Sequence, residues 1–158
     1  MTSSDGFDAV DAQILNELTQ DARIPNKVLA ARVHLSESGC SARVRRLRDA
    51  GVIRGFHAEL DLEQLGRPLQ ALISIRYRHR QRHRVEKFTH ELTTLAQTLA
   101  LFHVTGSADY VLHVAVADTD SLRQFVLNSL LSRPEIDRIE TSIVYEHRRS
   151  APTLRRSA

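Results

Sequence analysis

The spacing of apolar residues first changes close to Gly51. Before that glycine, apolar residues recur every three or four positions, which is the period of a helix buried on one face. After it, several stretches alternate apolar and polar residues, which is the period of a β-strand. A chain of 158 residues with such a change is expected to hold a helical region followed by a mixed one. The predicted fold class is therefore α+β.

Three short helices are predicted in the first fifty residues. The first covers about 7–18 and ends before Pro25, because proline disfavours helical geometry in the residue that precedes it. A second helix of about two turns covers 26–33. Ser36 can cap a third helix, which is expected to stop at Gly51. Two helices joined by a tight turn, the second of them basic, are typical of a helix-turn-helix.

Basic residues are concentrated in the same region. Residues 1–22 contain five acidic residues and no Lys or Arg, whereas residues 23–54 contain eight Lys and Arg residues against two acidic ones. The formal net charge of the whole chain is only +3, so its distribution is more informative than its sum. A local excess of positive charge suits a DNA phosphate backbone, and a solvated basic face would give the same run.

The third predicted helix has a core face and an opposite face. At about 100° per residue, Cys40 and Leu47 fall on the core side, while Arg45 and Arg46 fall opposite them. Small residues near its start allow close approach to the major groove, and the later arginines reach guanine or phosphate. The candidate DNA-binding residues are Asn26, Lys27, Ser36, Ser38, Ser41, Ala42, Arg43, Arg45, Arg46 and Arg48.

Beyond Gly51 the chain is expected to begin with a linker strand over 52–60 and a turn that ends at Pro68. Four strands are then predicted at 69–77, 99–105, 110–117 and 136–146, and two helices at 83–96 and 121–131. This β-α-β-β-α-β order is that of the ferredoxin-like fold, with two helices on one face of an antiparallel sheet. The predicted division is a DNA-binding domain at 1–51, a linker at 52–67, a ferredoxin-like domain at 68–147 and a disordered basic tail at 148–158.

Large apolar residues occupy both faces of the predicted strands, as at Leu72 beside Ile73 and at Val111 beside Leu112. Two helices on one face leave the other face in need of a cover. A homodimer formed through the sheets supplies that cover, and two-fold symmetry suits a helix-turn-helix protein that binds paired half-sites.

Eight histidines raise the question of a metal site. Three of them are close in sequence, at His79, His83 and His90. His103 and His113 are expected to face each other across a hairpin. Arginines surround the first group, and no His-x-x-x-His pair is expected on one face of a predicted helix. Since Cys40 is the single cysteine, no disulfide within the chain and no cysteine-based zinc site is expected. We predict no metal, no cofactor and no enzymatic activity.

The location of the protein is predicted from two further features. No apolar run reaches the roughly 18 to 20 residues that cross a bilayer. The first eleven residues contain three acidic residues and no Lys or Arg, unlike a signal peptide. A soluble cytoplasmic protein with no membrane partner is expected.

Six segments, taken in their order and spacing, resemble the Lrp/AsnC family of transcriptional regulators. They are VDAQIL at 10–15, DARIPN at 21–26, VHLS at 33–36, CSARVRRL at 40–47, GVIRGF at 51–56 and VTGSADY at 104–110. The resemblance spans about residues 7–147. It implies a winged-helix-like DNA-binding domain joined to a ferredoxin-like domain that forms oligomers, from dimers to tetramers or octamers, and senses amino acids.

The resemblance also implies that an amino-acid effector binds between subunits near the loop Gly106 to Asp109. The residues expected there are Val104, Thr105, Gly106, Ser107, Ala108, Asp109, Tyr110, Ser142, Ile143 and Val144. The distribution of acidic residues favours the same site, because Asp109 is the only acidic residue between Glu91 and Asp118 and could hold the ammonium group of an amino acid. Backbone N–H groups of the loop could hold the carboxylate.

Two alternatives stay open. The protein could be an architectural DNA-binding protein without an effector, in which case Asp109 is a structural turn residue. The arginine-rich run over 76–84 could be a solvated loop or a second DNA-contacting surface. The tail at 148–158 could add nonspecific phosphate contacts.

Overall fold

A computed structural model describes residues 7–78, 82–148 and 150, apart from the side chains of residues 82–84. It divides into two compact units, and the division between residues 59 and 60 falls inside the predicted linker. The histidine at 79, the side chain of the histidine at 83 and nearly all of the predicted tail lie outside the described residues. No described helix is both long enough and apolar enough to cross a membrane.

The three predicted helices form the first unit. They are α1 at Ala9–Gln20, α2 at Asn26–Arg32 and α3 at Glu37–Asp49. Their apolar faces meet in a core whose buried members are Ile14, Leu15, Leu29, Ala30, Val33, Cys40 and Leu47. The helical spacing of the sequence therefore predicts this core correctly, including the buried position of the cysteine.

Side chains cap the first and third helices. Asp8 accepts a hydrogen bond from the Asp11 amide at 2.8 Å, and the Asp11 carboxylate accepts one from the Asp8 amide at 3.1 Å. This reciprocal pair satisfies two backbone donors at the start of α1. The Ser36 hydroxyl caps α3, as predicted, by accepting a hydrogen bond from the Gly39 amide at 3.1 Å.

The second unit has the predicted β-α-β-β-α-β order. Its strands are β1 at Leu69–Tyr77, β2 at Thr98–His103, β3 at Tyr110–Val116 and β4 at Ile136–Val144. Its helices are α4 at Arg82–Thr93 and α5 at Thr119–Phe125, which continues as a π-helical segment at Val126–Leu131. The strand order is β2-β3-β1-β4 with antiparallel neighbours, which confirms the ferredoxin-like prediction.

Both helices of this unit cover the same face of the sheet. Ile73 and Ile75 of β1 lie in one core with Phe88 of α4 and Phe125 of α5. Because side chains alternate along a strand, Leu72 points to the opposite face, where 37% of it is exposed. We call this opposite side the open face of the sheet.

The predicted linker strand over 52–60 is wrong. Residues 53–60 form no strand within the described chain, and only Ile53 among them packs against the first core. The remaining residues are exposed, so neither burial nor a ladder partner favours an extended strand. Asp61 then begins a turn by accepting hydrogen bonds from the amides of Glu63 and Gln64.

The expected pairing of His103 with His113 is also wrong. The Val104 amide donates to the Asp109 carbonyl, which closes the loop between β2 and β3 so that His103 pairs with Tyr110. The His103 ring stacks on the Tyr110 ring at a centroid distance of 4.7 Å. His113 lies opposite Ala100 instead.

Candidate nucleic-acid interface and ligand pocket

The turn between α2 and α3 is held by two of the predicted DNA-binding residues. The Asn26 side chain donates to the Glu37 carbonyl at 2.9 Å, which ties the start of α2 to the start of α3. Ser36 uses its hydroxyl for the cap of α3. Both side chains thus fix the angle at which α3 is presented.

Most of the other candidates form an exposed surface on and beside α3. The exposed candidates are Lys27, Ser38, Ser41, Ala42, Arg45, Arg46 and Arg48. Within the described part of the chain, Lys27, Arg45 and Arg48 form no ion pair with a carboxylate. Their charges are therefore available to an anionic partner, as a phosphate-binding surface requires.

Arg43 and Arg46 differ from the other basic residues of α3, because they reach back to α1. Arg43 donates to Asp8 at 2.6 Å and to Asp11 at 3.0 Å, and Arg46 donates to Asp11 at 2.5 Å. The hydrogen bonds that Arg43 donates to the two carboxylates raise the pKa of its guanidinium. The placement of Arg46 on the outer face therefore needs correction, since its long side chain bends towards a buried carboxylate.

Asp11 is the residue that helical periodicity missed. Its side chain is fully buried, although it occupies the first turn of α1. The available signal was the spacing of Asp8 and Asp11, since an acidic residue three positions after an N-cap aspartate is typical of a capping box.

A second candidate site is a small open pocket of about 50 Å³ on the open face of the sheet. Its lining residues are Ser74, Arg76, Ser107, Ala108, Arg138 and Glu140. Ser107 and Ala108 were predicted for this site. The other four come from β1 and β4, where Arg76 pairs with Arg138 and Ser74 with Glu140. Only the strand register brings them together.

The loop beside the pocket is held by Arg76, which donates to the carbonyls of Gly106 at 2.9 Å and Ser107 at 3.2 Å. Gly106 has φ 116°, a backbone conformation that favours glycine. Asp109 accepts a hydrogen bond from the Tyr77 amide at 2.8 Å, and its carboxylate lies 3.7 Å from Arg76 Nε. Asp109 thus fastens the loop to β1.

The remaining predicted effector residues do not line this pocket. Tyr110 is buried in the core, and desolvation raises the pKa of its hydroxyl. Ser142 pairs with Leu72 and Val144 with Gln70, which puts both further along β4 on the open face. Ile143 alternates to the other face, and Val104 and Thr105 lie at the start of the loop. Among the described residues, no group of three or more His, Cys, Asp or Glu could hold a metal ion.

Two protein-family models match the chain. The model described as winged helix-turn-helix DNA-binding covers residues 7–54, and the model described as Lrp/AsnC ligand binding domain covers residues 70–154. Each match falls largely within one of the two units of the structure.

Similar proteins and structures agree with these models. The chain is 40% identical over 148 residues to the HTH-type transcriptional regulator AldR of Mycobacterium tuberculosis, covering 94% of this chain and 83% of the relative. It is 33% identical to the leucine-responsive regulatory protein of Rhizobium meliloti, covering 87% and 88%. A transcriptional regulator of Neisseria meningitidis, solved in complex with L-Met, matches with a TM-score of 0.86 and 32% identity, covering 94% of this chain and 96% of that one.

These relatives are named as transcriptional regulators and not as enzymes, in agreement with the prediction that the chain has no catalytic activity. With both family models matched and relatives at this level of identity, the chain belongs to the Lrp/AsnC family of DNA-binding transcriptional regulators and carries that family's ligand-binding domain.

Proposed function

We propose that this regulator recognises specific DNA sites with α3 and that an amino acid bound at the open face changes that recognition. The observation that carries the first part is the contrast within α3. Arg45 and Arg48 are exposed and without an ion pair in the described chain, whereas Arg43 and Arg46 are paired with α1. We further propose that the protein acts in the cytoplasm, where a bacterial regulator reaches its DNA.

Arg45 is proposed to read a base, and Arg48 to hold a phosphate. A base-reading arginine donates two hydrogen bonds to guanine, so its loss relaxes preference at one position at a cost of roughly 1 to 3 kcal/mol. A phosphate-binding arginine adds affinity to every sequence alike.

The test compares Arg45→Ala with Arg48→Ala on a duplex that the parent protein selects from a randomised pool and on a random duplex. Arg45→Ala is expected to lose affinity mainly for the selected duplex, and Arg48→Ala for both. Equal losses on both duplexes for Arg45→Ala would contradict the assignment.

The second part of the proposal assigns the pocket on the open face to a free amino acid. Such a ligand is a zwitterion, so it needs both charges in its site. The pocket supplies them in Glu140, for the ammonium group, and in Arg138, for the carboxylate. These two side chains form an ion pair at 2.6 Å that a ligand would replace. The structural neighbour solved with L-Met supports this ligand class.

Asp109, which was expected to bind the ammonium group, already accepts a hydrogen bond from the Tyr77 amide. We therefore propose that Asp109 shapes the loop and that Glu140 contacts the ligand. Ser107 and Ala108 form the wall beside the ligand side chain, and because they are small they leave room for it.

A thermal-shift screen with the twenty amino acids tests the pocket. A ligand at about 100 times its Kd stabilises the folded state by roughly 2.7 kcal/mol, so a hit is easy to detect. Glu140→Gln should lose the shift, whereas Asp137→Asn should keep it. Asp137 is a matched control because it also pairs with an arginine, Arg78, at the surface of β4. If no amino acid shifts the melting temperature, the protein is an architectural DNA-binding protein and the effector proposal is wrong.

We also propose that two copies of the chain associate through the open face of the sheet. This face carries Leu72 on β1 and Phe102 on β2, which are 37% and 51% exposed, and half-buried Val111 between them. The strand register places Phe102 beside Val111. Apolar groups of this size on one face are typical of an interface. A ligand in the adjoining pocket would then act on assembly as well as on stability.

A further inference from the structure

The four charged side chains between α1 and α3 form a cluster that the proposed DNA contacts do not use. It consists of Asp8, Asp11, Arg43 and Arg46. Asp11 is 0% exposed, and its carboxylate accepts hydrogen bonds from the Asp8 amide, Arg43 and Arg46. Asp8 adds a second carboxylate to Arg43 at 2.6 Å. We call this set the α1–α3 charge cluster.

A buried carboxylate is tolerated only when its charge and its acceptor sites are matched. Asp11 meets both needs with two guanidinium groups and one backbone N–H. Because Arg43 and Arg46 are three residues apart, both leave α3 on the side that faces α1. Their bonds to a single buried carboxylate therefore fix the rotation of α3 about its own axis, which is what sets the direction of Arg45.

The arginines of the cluster remain within reach of solvent. The side chain of Arg43 is 29% exposed and that of Arg46 is 53% exposed. Each could turn outwards to a phosphate if the carboxylate ceased to hold it. The cluster thus controls how many positive charges of α3 face an anionic partner.

We propose that Asp11 is a positioning residue for DNA recognition, which keeps Arg43 and Arg46 paired inside the domain so that they orient α3 and contact no phosphate. The number of arginines that contact phosphate is then smaller than the number of arginines in the domain. This inference rests on the proposed contact between α3 and DNA.

Salt dependence distinguishes a phosphate contact from an internal ion pair. The logarithm of the binding constant falls with the logarithm of salt concentration by about 0.9 for each phosphate that a cation neutralises. Losing one contact therefore reduces the affinity change between about 50 and 200 mM salt by roughly 3.5-fold. An arginine that only orients α3 leaves this slope unchanged.

The experiment measures the slope on a random duplex for the full chain and for variants with one neutralised residue. Arg43→Gln and Arg46→Gln are expected to keep the slope of the parent, whereas the matched control Arg48→Gln lowers its magnitude by about 0.9. Asp11→Asn should release Arg46, whereas Arg43 keeps its bond to Asp8, and should therefore steepen the slope by about 0.9. It should also reduce the preference for the selected duplex about tenfold or more, because α3 loses its orientation.

The conservative variant Asp11→Glu keeps the charge and should keep the slope. If Asp11→Asn does not fold, the arginine variants still decide the matter. A slope for Arg43→Gln or Arg46→Gln as shallow as that of Arg48→Gln overturns the inference, and so does an unchanged slope for folded Asp11→Asn. An unchanged slope for Arg48→Gln overturns the proposed DNA contact instead.

Discussion

The two units of this protein are stabilised in different ways. The helical unit has a core of seven buried apolar residues within the described chain, and a buried carboxylate with two arginines adds to it. The ferredoxin-like unit has fourteen such residues between its sheet and helices, with aromatic rings at its centre. In the core of the small unit, the packing of helices depends partly on charge. In the larger one it depends on apolar area.

The same division separates the surfaces that the two units offer. The helical unit exposes three cations, Lys27, Arg45 and Arg48, that form no ion pair among the described residues. The sheet unit exposes apolar side chains next to a charged pocket. A polyanion suits the first surface, and a second subunit or a small zwitterion suits the second. The coupling of a ligand to DNA binding that we propose requires two such physically different surfaces on one chain.

The largest expected effect comes from the core of the sheet. Ile73→Ala removes buried methyl groups from a fully buried site and should cost about 2 to 5 kcal/mol of stability in the ferredoxin-like unit. Hydrogen exchange should show lost protection in β1 and β3 but not in α1 to α3. Thr141→Ala is the control, because Thr141 is exposed and pairs with Ile73. Equal loss of protection in both units would mean that they are stabilised as one.

The next effect concerns the open face. Leu72→Glu places a charge on an exposed apolar position and should raise the dissociation constant of the proposed dimer at least tenfold, or about 1.4 kcal/mol. Sedimentation of the full chain across a concentration series measures this. Leu127→Glu is the control, since Leu127 is similarly exposed on the π-helical segment. A parent protein that sediments as a monomer would contradict the proposed interface.

Local patterns in the sequence predict much of this fold. The alternation of apolar and polar residues predicts that Ile73 and Ile75 point into the core, and helical spacing predicts that Cys40 is buried. Ser36 indicates the start of α3, which it caps. These features depend on neighbours within a few residues, so a single sequence contains them. The prediction of a linker strand over 52–60 was wrong because this segment has no partner strand in the described chain.

The parts that the sequence missed depend on distant partners. Angular arithmetic placed Arg46 outward because it treats a side chain as a direction, whereas a long guanidinium reaches a carboxylate 35 residues away. The sequence predicts that Asp109 binds a ligand ammonium group, but its carboxylate accepts a hydrogen bond from the Tyr77 amide, which is 32 residues away along the chain. The pocket residues Arg138 and Glu140 become visible only when the register of β4 against β1 is known.

A smaller effect is expected from the cap of α3. Ser36→Ala removes the acceptor for the Gly39 amide and should cost about 1 kcal/mol, within a range of about 0.5 to 2. Urea unfolding followed in the helical unit measures the change. Ser41→Ala is a control from the exposed side of the same helix, where no backbone amide depends on its side chain in the described chain. If both variants lose the same stability, the cap adds nothing of its own.

The smallest effect is a difference in acid sensitivity between two caps, Asp8 of α1 and Asp118 of α5. Hydrogen bonds lower the pKa of both carboxyl groups below the ordinary value of 3.8. Asp8 accepts them from the Asp11 amide and from Arg43, and Asp118 accepts one from the Ser121 amide. A carboxyl group whose pKa is lowered by folding adds stability above its unfolded value, and that stability is lost as the pH falls through the folded value.

Both caps should therefore weaken below about pH 4, and Asp8→Asn and Asp118→Asn should each flatten the fall of stability with pH. Because Asp8 also depends on the charge of Arg43, added salt should reduce the effect of Asp8→Asn more than that of Asp118→Asn. Urea unfolding at pH 3 and pH 5, with and without salt, measures the difference. Identical salt sensitivity would remove the distinction between a helical unit stabilised partly by charge and a sheet unit stabilised by its apolar core.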